Sequence, residues 1–187
     1  MKIGVVVGSP RKQSFSRKLA NAIGELVPAG MQMEIIPIDN LPFYNQDLED
    51  AGESPATWLE FRDRLRACDG ILFVTPEYNR GVPAMLKNAI DVGSRPYGKA
   101  AWGGKPAAVV SISQGPMGGF GANHALRQSL VFLNMPCMQQ PEAYIGGVAN
   151  LFDAEGKLTV DSTREFLTKF ANAVAGWVQL HAAKQAA

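Results

Sequence analysis

Three stretches of this sequence combine side-chain types and spacings that could do chemistry. The first is Gly8-Ser9-Pro10-Arg11-Lys12-Gln13-Ser14-Phe15-Ser16-Arg17, with hydroxyls at Ser9, Ser14 and Ser16 beside the Arg11 guanidinium. It follows an apolar run and opens a segment with Leu19, Ala20, Ile23, Leu26 and Val27 at helical spacing. A helix N-terminus exposes unpaired N–H groups and the positive end of its dipole, so strand, loop, cation and helix together suit a phosphate. Taken singly, Ser14 reads as a helix cap and Arg11 as a solvated cation. The loop lacks Gly-x-Gly-x-x-Gly and a Gly-Lys-Ser/Thr ending, and no cysteine lies near it to act as a nucleophile. It reads as a loop that binds a phosphate without attacking it.

The second stretch is Thr75-Pro76-Glu77-Tyr78-Asn79-Arg80-Gly81-Val82-Pro83. Its two outer prolines restrict the backbone between them, Tyr78 supplies a flat ring and Asn79 an amide. Such a loop can present N–H groups to the edge of a planar heterocycle, although Tyr78 as a packing residue is equally open. The third, Ser113-Gln114-Gly115-Pro116-Met117-Gly118-Gly119-Phe120-Gly121, has four glycines in nine residues. That composition suits close approach of backbone to a ligand, or simple flexibility.

Other candidates are weaker. His124 and His181 are far apart and lack matching carboxylates, so they make no metal site. Glu77, set between Pro76 and Tyr78, reads as a loop-shaping residue rather than a general acid. Arg80 and Arg95 are candidate guides for anionic substrates, with solvation the plainer reading. Trp102 either packs or covers a neighbouring subunit's site.

The elements that must position these loops alternate. Short apolar runs at Lys2–Gly8, Met31–Ile38, Gly70–Thr75 and Pro106–Ser113 predict strands, with a fifth near Met138 or Tyr144. Amphipathic segments at Ser14–Val27, Pro83–Val92, Ala122–Leu133 and Ser162–His181 predict helices. Another starts from a Ser54–Pro55 pair, read as N-cap and first helical residue, and runs to about Cys68. Asn40–Glu53 reads as an excursion loop. Strands alternating with helices imply βαβ units and a parallel sheet covered on both faces. The expected architecture is an α/β, flavodoxin-like three-layer sandwich with five strands in order 2-1-3-4-5, one domain over residues 1–187. In such a fold ligands sit beyond the carboxyl ends of the strands.

Composition sets the outer bounds. Eighteen Lys and Arg against 17 Asp and Glu give a net charge of +1 over 187 residues, without the basic surplus that a nucleic-acid footprint needs. No apolar stretch approaches the roughly 20 residues needed to cross a bilayer, and the N-terminus makes a poor signal peptide. Cys68 and Cys137 show no Cys-x-x-Cys spacing and read as buried inert thiols. A cytoplasmic protein without membrane insertion is the expectation.

The motifs Gly8-Ser9-x-Arg11-x-x-Ser14, Pro76-Glu77-Tyr78-Asn79 with Pro83, and Leu86-Lys87-Asn88-Ala89-Ile90-Asp91 occur in order. In this the chain resembles the NAD(P)H-dependent FMN reductase family, and most of all its bacterial quinone and chromate reductase subgroup. The resemblance runs from Lys2 to about Gly147. It implies that Ser9, Arg11, Ser14, Phe15 and Ser16 surround the phosphate and ribityl chain of FMN. It implies that Pro76, Glu77, Tyr78 and Asn79 line the isoalloxazine largely through backbone groups, with Ser113 and Gly115 on the other side. Ser16 stands where the family commonly has Asn. The implied activity is hydride transfer from NADH or NADPH to FMN and then, by a ping-pong mechanism, to quinones, free flavin, chromate or other metal anions, or azo compounds. FMN itself would carry the chemistry, with no catalytic side chain. The family also implies a homo-oligomer, dimer or tetramer. The apolar residues Val131, Phe132, Leu133, Met135 and Met138 serve either such contacts or the core. An electron carrier of the flavodoxin type, or a flavin-based redox sensor, is the competing reading.

Overall fold

A computed structural model describes residues 1–185. The chain runs β1 (Lys2–Val7), α1 (Phe15–Gly24), β2 (Gln32–Ile35), α2 (Gln46–Asp50), α3 (Ala56–Arg66) and β3 (Gly70–Pro76). It continues α4 (Ala84–Gly93), β4 (Ala107–Ile112), α5 (Phe120–Phe132), β5 (Ala143–Ile145), a 3₁₀ turn (Val148–Asn150) and α6 (Asp161–Gln185). The five strands form one all-parallel sheet in the order β2-β1-β3-β4-β5, as expected. The fold is flavodoxin-like.

Alternation along the central strands divides the core in two. Ile3, Val5, Val7, Leu72, Val74, Ala108, Val110 and Ile112 face one side, where Leu19 and Ile23 of α1 and Leu167, Phe170 and Val174 of α6 cover them. Val6, Ile71, Phe73, Ala107 and Val109 face the other, against Trp58, Phe61 and Leu65 of α3, Leu86 and Ile90 of α4, and Leu126 and Leu130 of α5. Both faces being buried explains why the strands read as continuous apolar runs.

Three local expectations change. Both proline-led helices start one residue later than the sequence indicated. Pro55 and Pro83 are themselves the N-caps, with extended ψ of 139° and 142°, and neither supplies a side-chain bond. The Pro55 carbonyl takes the Trp58 N–H at 2.9 Å, so Ser54 has no capping task. The excursion loop contains the short helix α2, capped by Asn45, and long-range bonds pin the loop. Asn88 Nδ2 donates to the Leu41 and Pro42 carbonyls at 3.2 and 3.1 Å, and Trp58 Nε1 donates to Pro42 O at 3.0 Å. Finally, Trp102 is fully buried, with its indole N–H on the Ile90 carbonyl at 2.9 Å, so it packs and covers no neighbouring site.

Candidate active site

Because all five strands are parallel, the loops after β1, β3 and β4 emerge at one end of the sheet. They enclose an open cleft of about 160 Å³. The first loop contributes Ser9, Arg11, Ser14, Phe15 and Ser16, the second Pro76, Glu77 and Tyr78, and the third Ser113. Asn79 and Gly115 lie outside this lining. Gln114, part of the third stretch, lines the cleft as well, and so do Ile112 and Val148, which were not singled out in the sequence.

The first loop is built locally. Ser14 is the N-cap of α1, its Oγ accepting from the Arg17 N–H at 3.1 Å while its own N–H donates to the Arg11 carbonyl. Ser9, Ser14 and Ser16 are buried, and the first turn of α1 carries no acidic residue. Among the described residues no carboxylate forms an ion pair with Arg11. Buried hydroxyls, a helix dipole and an unpaired cation converge there, which is the donor set an anion requires.

The second loop is a tight turn. Tyr78 and Gly81 exchange both backbone hydrogen bonds, at 3.2 and 2.9 Å, around Asn79 and Arg80 at φ values of 50° and 64°. Two consecutive left-handed residues make a primed hairpin-type turn, with Asn79 at its tip and so outside the cleft. Glu77 is one-tenth exposed. Its Oε1 accepts from Arg80 Nη1 at 3.2 Å and its Oε2 from the Ala122 backbone N–H at 3.0 Å. Arg80 is thereby anchored while remaining largely exposed, and Arg95 lies 5.8 Å over the Tyr44 ring.

In the third loop most glycines serve packing within the protein rather than access to a ligand. A Cβ on Gly118, at φ +58°, would sit 2.5 Å from the Tyr144 carbonyl carbon, and one on Gly121 would sit 2.9 Å from both Arg80 O and Glu77 Oε2. Only the far end of the chain explains Val148. Ser113 N–H donates to Ile145 O, and the Val148 N–H donates back to Ser113 O at 3.2 Å. No local signal in the sequence marks that contact. Ile112 and Gln114 flank Ser113 at the strand end and were accessible to a positional argument.

His124 pairs through Nε2 with Tyr144 Oη at 2.9 Å, and neither residue lines the cleft. Burial, with Glu142 beside it, pushes the Tyr144 phenol up to about 12. Among the described residues no cluster of His, Cys, Asp and Glu could hold a metal ion, and no helix is long and apolar enough to cross a membrane.

Fold and cleft together define a flavodoxin-like protein with an open cleft at the carboxyl ends of its parallel strands. Residues 1–150 match the family described as NADPH-dependent FMN reductase, and the chain belongs to that family. It is an NAD(P)H-dependent flavin oxidoreductase with FMN as cofactor. A quinone reductase of Pseudomonas putida is 61% identical over 181 residues, covering 97% of this chain and 96% of that protein. A 2-hydroxy-1,4-benzoquinone reductase of a Burkholderia species is 40% identical over 179 residues, covering 96% and 97%. Among solved structures, the flavoenzyme NAD(P)H:(acceptor) oxidoreductase FerB of Paracoccus denitrificans superposes with a TM-score of 0.90 at 39% identity, covering 96% of this chain and 98% of that one.

Proposed function

We propose that the cleft holds the FMN phosphate on the Ser9–Ser16 loop and the isoalloxazine between the loops that follow β3 and β4. The residues fit that ligand chemically. Ser9, Ser14, Ser16 and Arg11 offer hydroxyl and charged donors to a phosphate at the start of α1. Phe15, Ile112 and Val148 offer apolar surface to a heterocycle, and Pro76 through Tyr78 supply a stiff backbone edge. Ser16, 1% exposed, occupies the position where the family commonly has Asn.

When bound, FMN supplies hydride acceptance from NAD(P)H and onward electron transfer. The protein's part is to orient the ring, keep one face open to the mouth and hold the phosphate. Half-exposed Tyr78 stands at that mouth. Quinones are the acceptor class that the relatives' names favour; chromate or other metal anions, free flavin and azo compounds are further candidates. A single mouth supports alternate occupancy by donor and acceptor, and hence ping-pong kinetics. The convergence of all three loops on one cleft carries the reading.

In the test, the purified yellow protein is titrated anaerobically with NADH and then with a benzoquinone. Bleaching of the flavin spectrum, its return on quinone addition, and parallel double-reciprocal plots are expected. A spectrum that NADH leaves unchanged contradicts the proposal.

The same reading includes a homo-oligomer and a cytoplasmic setting. Val131 and Phe132 are 76% and 87% exposed on α5, whereas Met135 and Met138 belong to the core. A groove bordered by Lys87, Ile90 and Asp91 of α4 and by Gln128 and Phe132 of α5 runs beside them. An apolar face of this kind suits a second copy of the chain. Phe132→Asp is expected to lower the mass measured by light scattering, and an unchanged mass counts against this face. Two free cysteines support a reducing compartment.

A further inference from the structure

Glu77 is the only acidic side chain that lines the cleft among the described residues, yet both its oxygens are turned to protein partners. The explanation lies in α5. That helix starts at Gly119, which has no side chain to cap with and adopts the left-handed φ of 77°. Its third helical residue, Ala122, presents an N–H that a Ser, Thr, Asp or Asn at the N-cap would ordinarily satisfy. Glu77 Oε2 satisfies it instead, at 3.0 Å and from 45 residues away in sequence. A carboxylate there is also favoured by the positive end of the helix dipole. Arg80 fixes the other oxygen at 3.2 Å, and the approach of the loop depends on Gly121 having no Cβ.

We infer that Glu77 is a positioning residue for the flavin ring: by supplying the capping bond that the N-cap Gly119 cannot, it ties the loop after β3 to the loop after β4. The carboxylate thereby adds a side-chain tie between the two walls proposed for the isoalloxazine, beyond the pairing of Pro76 with Ile112 at the ends of β3 and β4. The inference rests on the proposed placement of FMN and deepens it. The phosphate loop has no share in the contact, so removing the carboxylate weakens the ring end alone.

Full-length, flavin-free wild-type, Glu77→Ala and Glu77→Gln proteins are titrated with FMN and with riboflavin, which lacks the phosphate. Amide hydrogen exchange at Ala122 is followed in the same samples. Glu77→Ala is expected to weaken both flavins by the same factor, about tenfold, or about 1.4 kcal/mol, so that the FMN-to-riboflavin ratio stays that of the wild type. Glu77→Gln keeps an acceptor oxygen and is expected to remain within about threefold of the wild type. Ala122 exchange should quicken by about tenfold in the Ala variant and little in the Gln variant. Unchanged flavin affinities in Glu77→Ala, or equal losses in Ala and Gln, overturn the inference. A wild-type protein with no preference for FMN over riboflavin refutes the phosphate placement instead, and the Ala122 exchange still decides whether Glu77 supplies the capping bond.

Discussion

The two ends of the cleft are built on different principles. The end proposed for the phosphate is local: Ser14 caps its own helix, and every candidate side chain falls between Ser9 and Ser16. The ring end is assembled from segments far apart in sequence. Glu77 meets Ala122, Ser113 meets Ile145 and Val148, and Gly118 lies against Tyr144. A local site tolerates change elsewhere in the fold but depends on single side chains. A site made of tertiary contacts tolerates the loss of any one polar group better than the intrusion of an extra atom.

That contrast can be broken experimentally, and the largest effect is expected at the ring end. Gly118→Ala places a methyl 2.5 Å from backbone at a φ of +58°. It should lower stability by about 3 kcal/mol, read as a fall in denaturant midpoint, because neither strain nor overlap can relax without moving β5. A midpoint within error of the wild type would show that the third loop is softer than its packing indicates.

Next in size is Arg11→Ala at the phosphate end. Loss of a charge-assisted contact of about 1.5–3 kcal/mol should weaken FMN by about ten- to a hundredfold. Riboflavin affinity and the unfolding midpoint should be unchanged, because Arg11 is exposed and carries no ion pair among the described residues. Equal weakening of both flavins would place Arg11 at the ring instead. Ser14→Ala should show a mixed effect, with stability reduced by about 1 kcal/mol through the lost cap and FMN weakened more than riboflavin.

The smallest effect concerns thiols away from both ends. Burial pushes Cys68 and Cys137 above the usual thiol range, against the opposing influence of Lys2 and Lys105 on the first and Arg127 on the second. A raised folded-state pKa means that the buried neutral thiol contributes stability below the unfolded thiol pKa. That contribution is lost as pH rises through the folded value. Alkylation of Cys68 in the native protein should therefore be slow at mildly alkaline pH and complete only after denaturation, with a slight drop in midpoint as pH climbs further. Cys137 is only half-buried, unlike the buried thiol its sequence context suggested, so rapid native alkylation of Cys68 is the result that would contradict the burial.

How far the sequence carried the reading follows the same division. Strand positions were legible because both sheet faces are buried, so Val5, Val6 and Val7 all had to be apolar. The Ser9–Ser16 loop was legible because its parts are contiguous. Helix α2 was not, since its five residues carry no periodicity and its loop is pinned by Asn88 and Trp58 from other elements. Val148 was invisible for the same reason, being brought in by backbone bonds to Ser113. The glycines after β4 pointed to close approach. What they approach, Tyr144, Arg80 and Glu77, required the fold.

The central claim is that the loop opening α1 receives a phosphate carried by a flavin. Its most direct test compares the dissociation constants of FMN and riboflavin for the flavin-free wild-type protein, at low and moderate salt. The account predicts that FMN binds at least about tenfold more tightly and that added inorganic phosphate narrows the gap. Equal affinities, or a gap indifferent to phosphate, would contradict it.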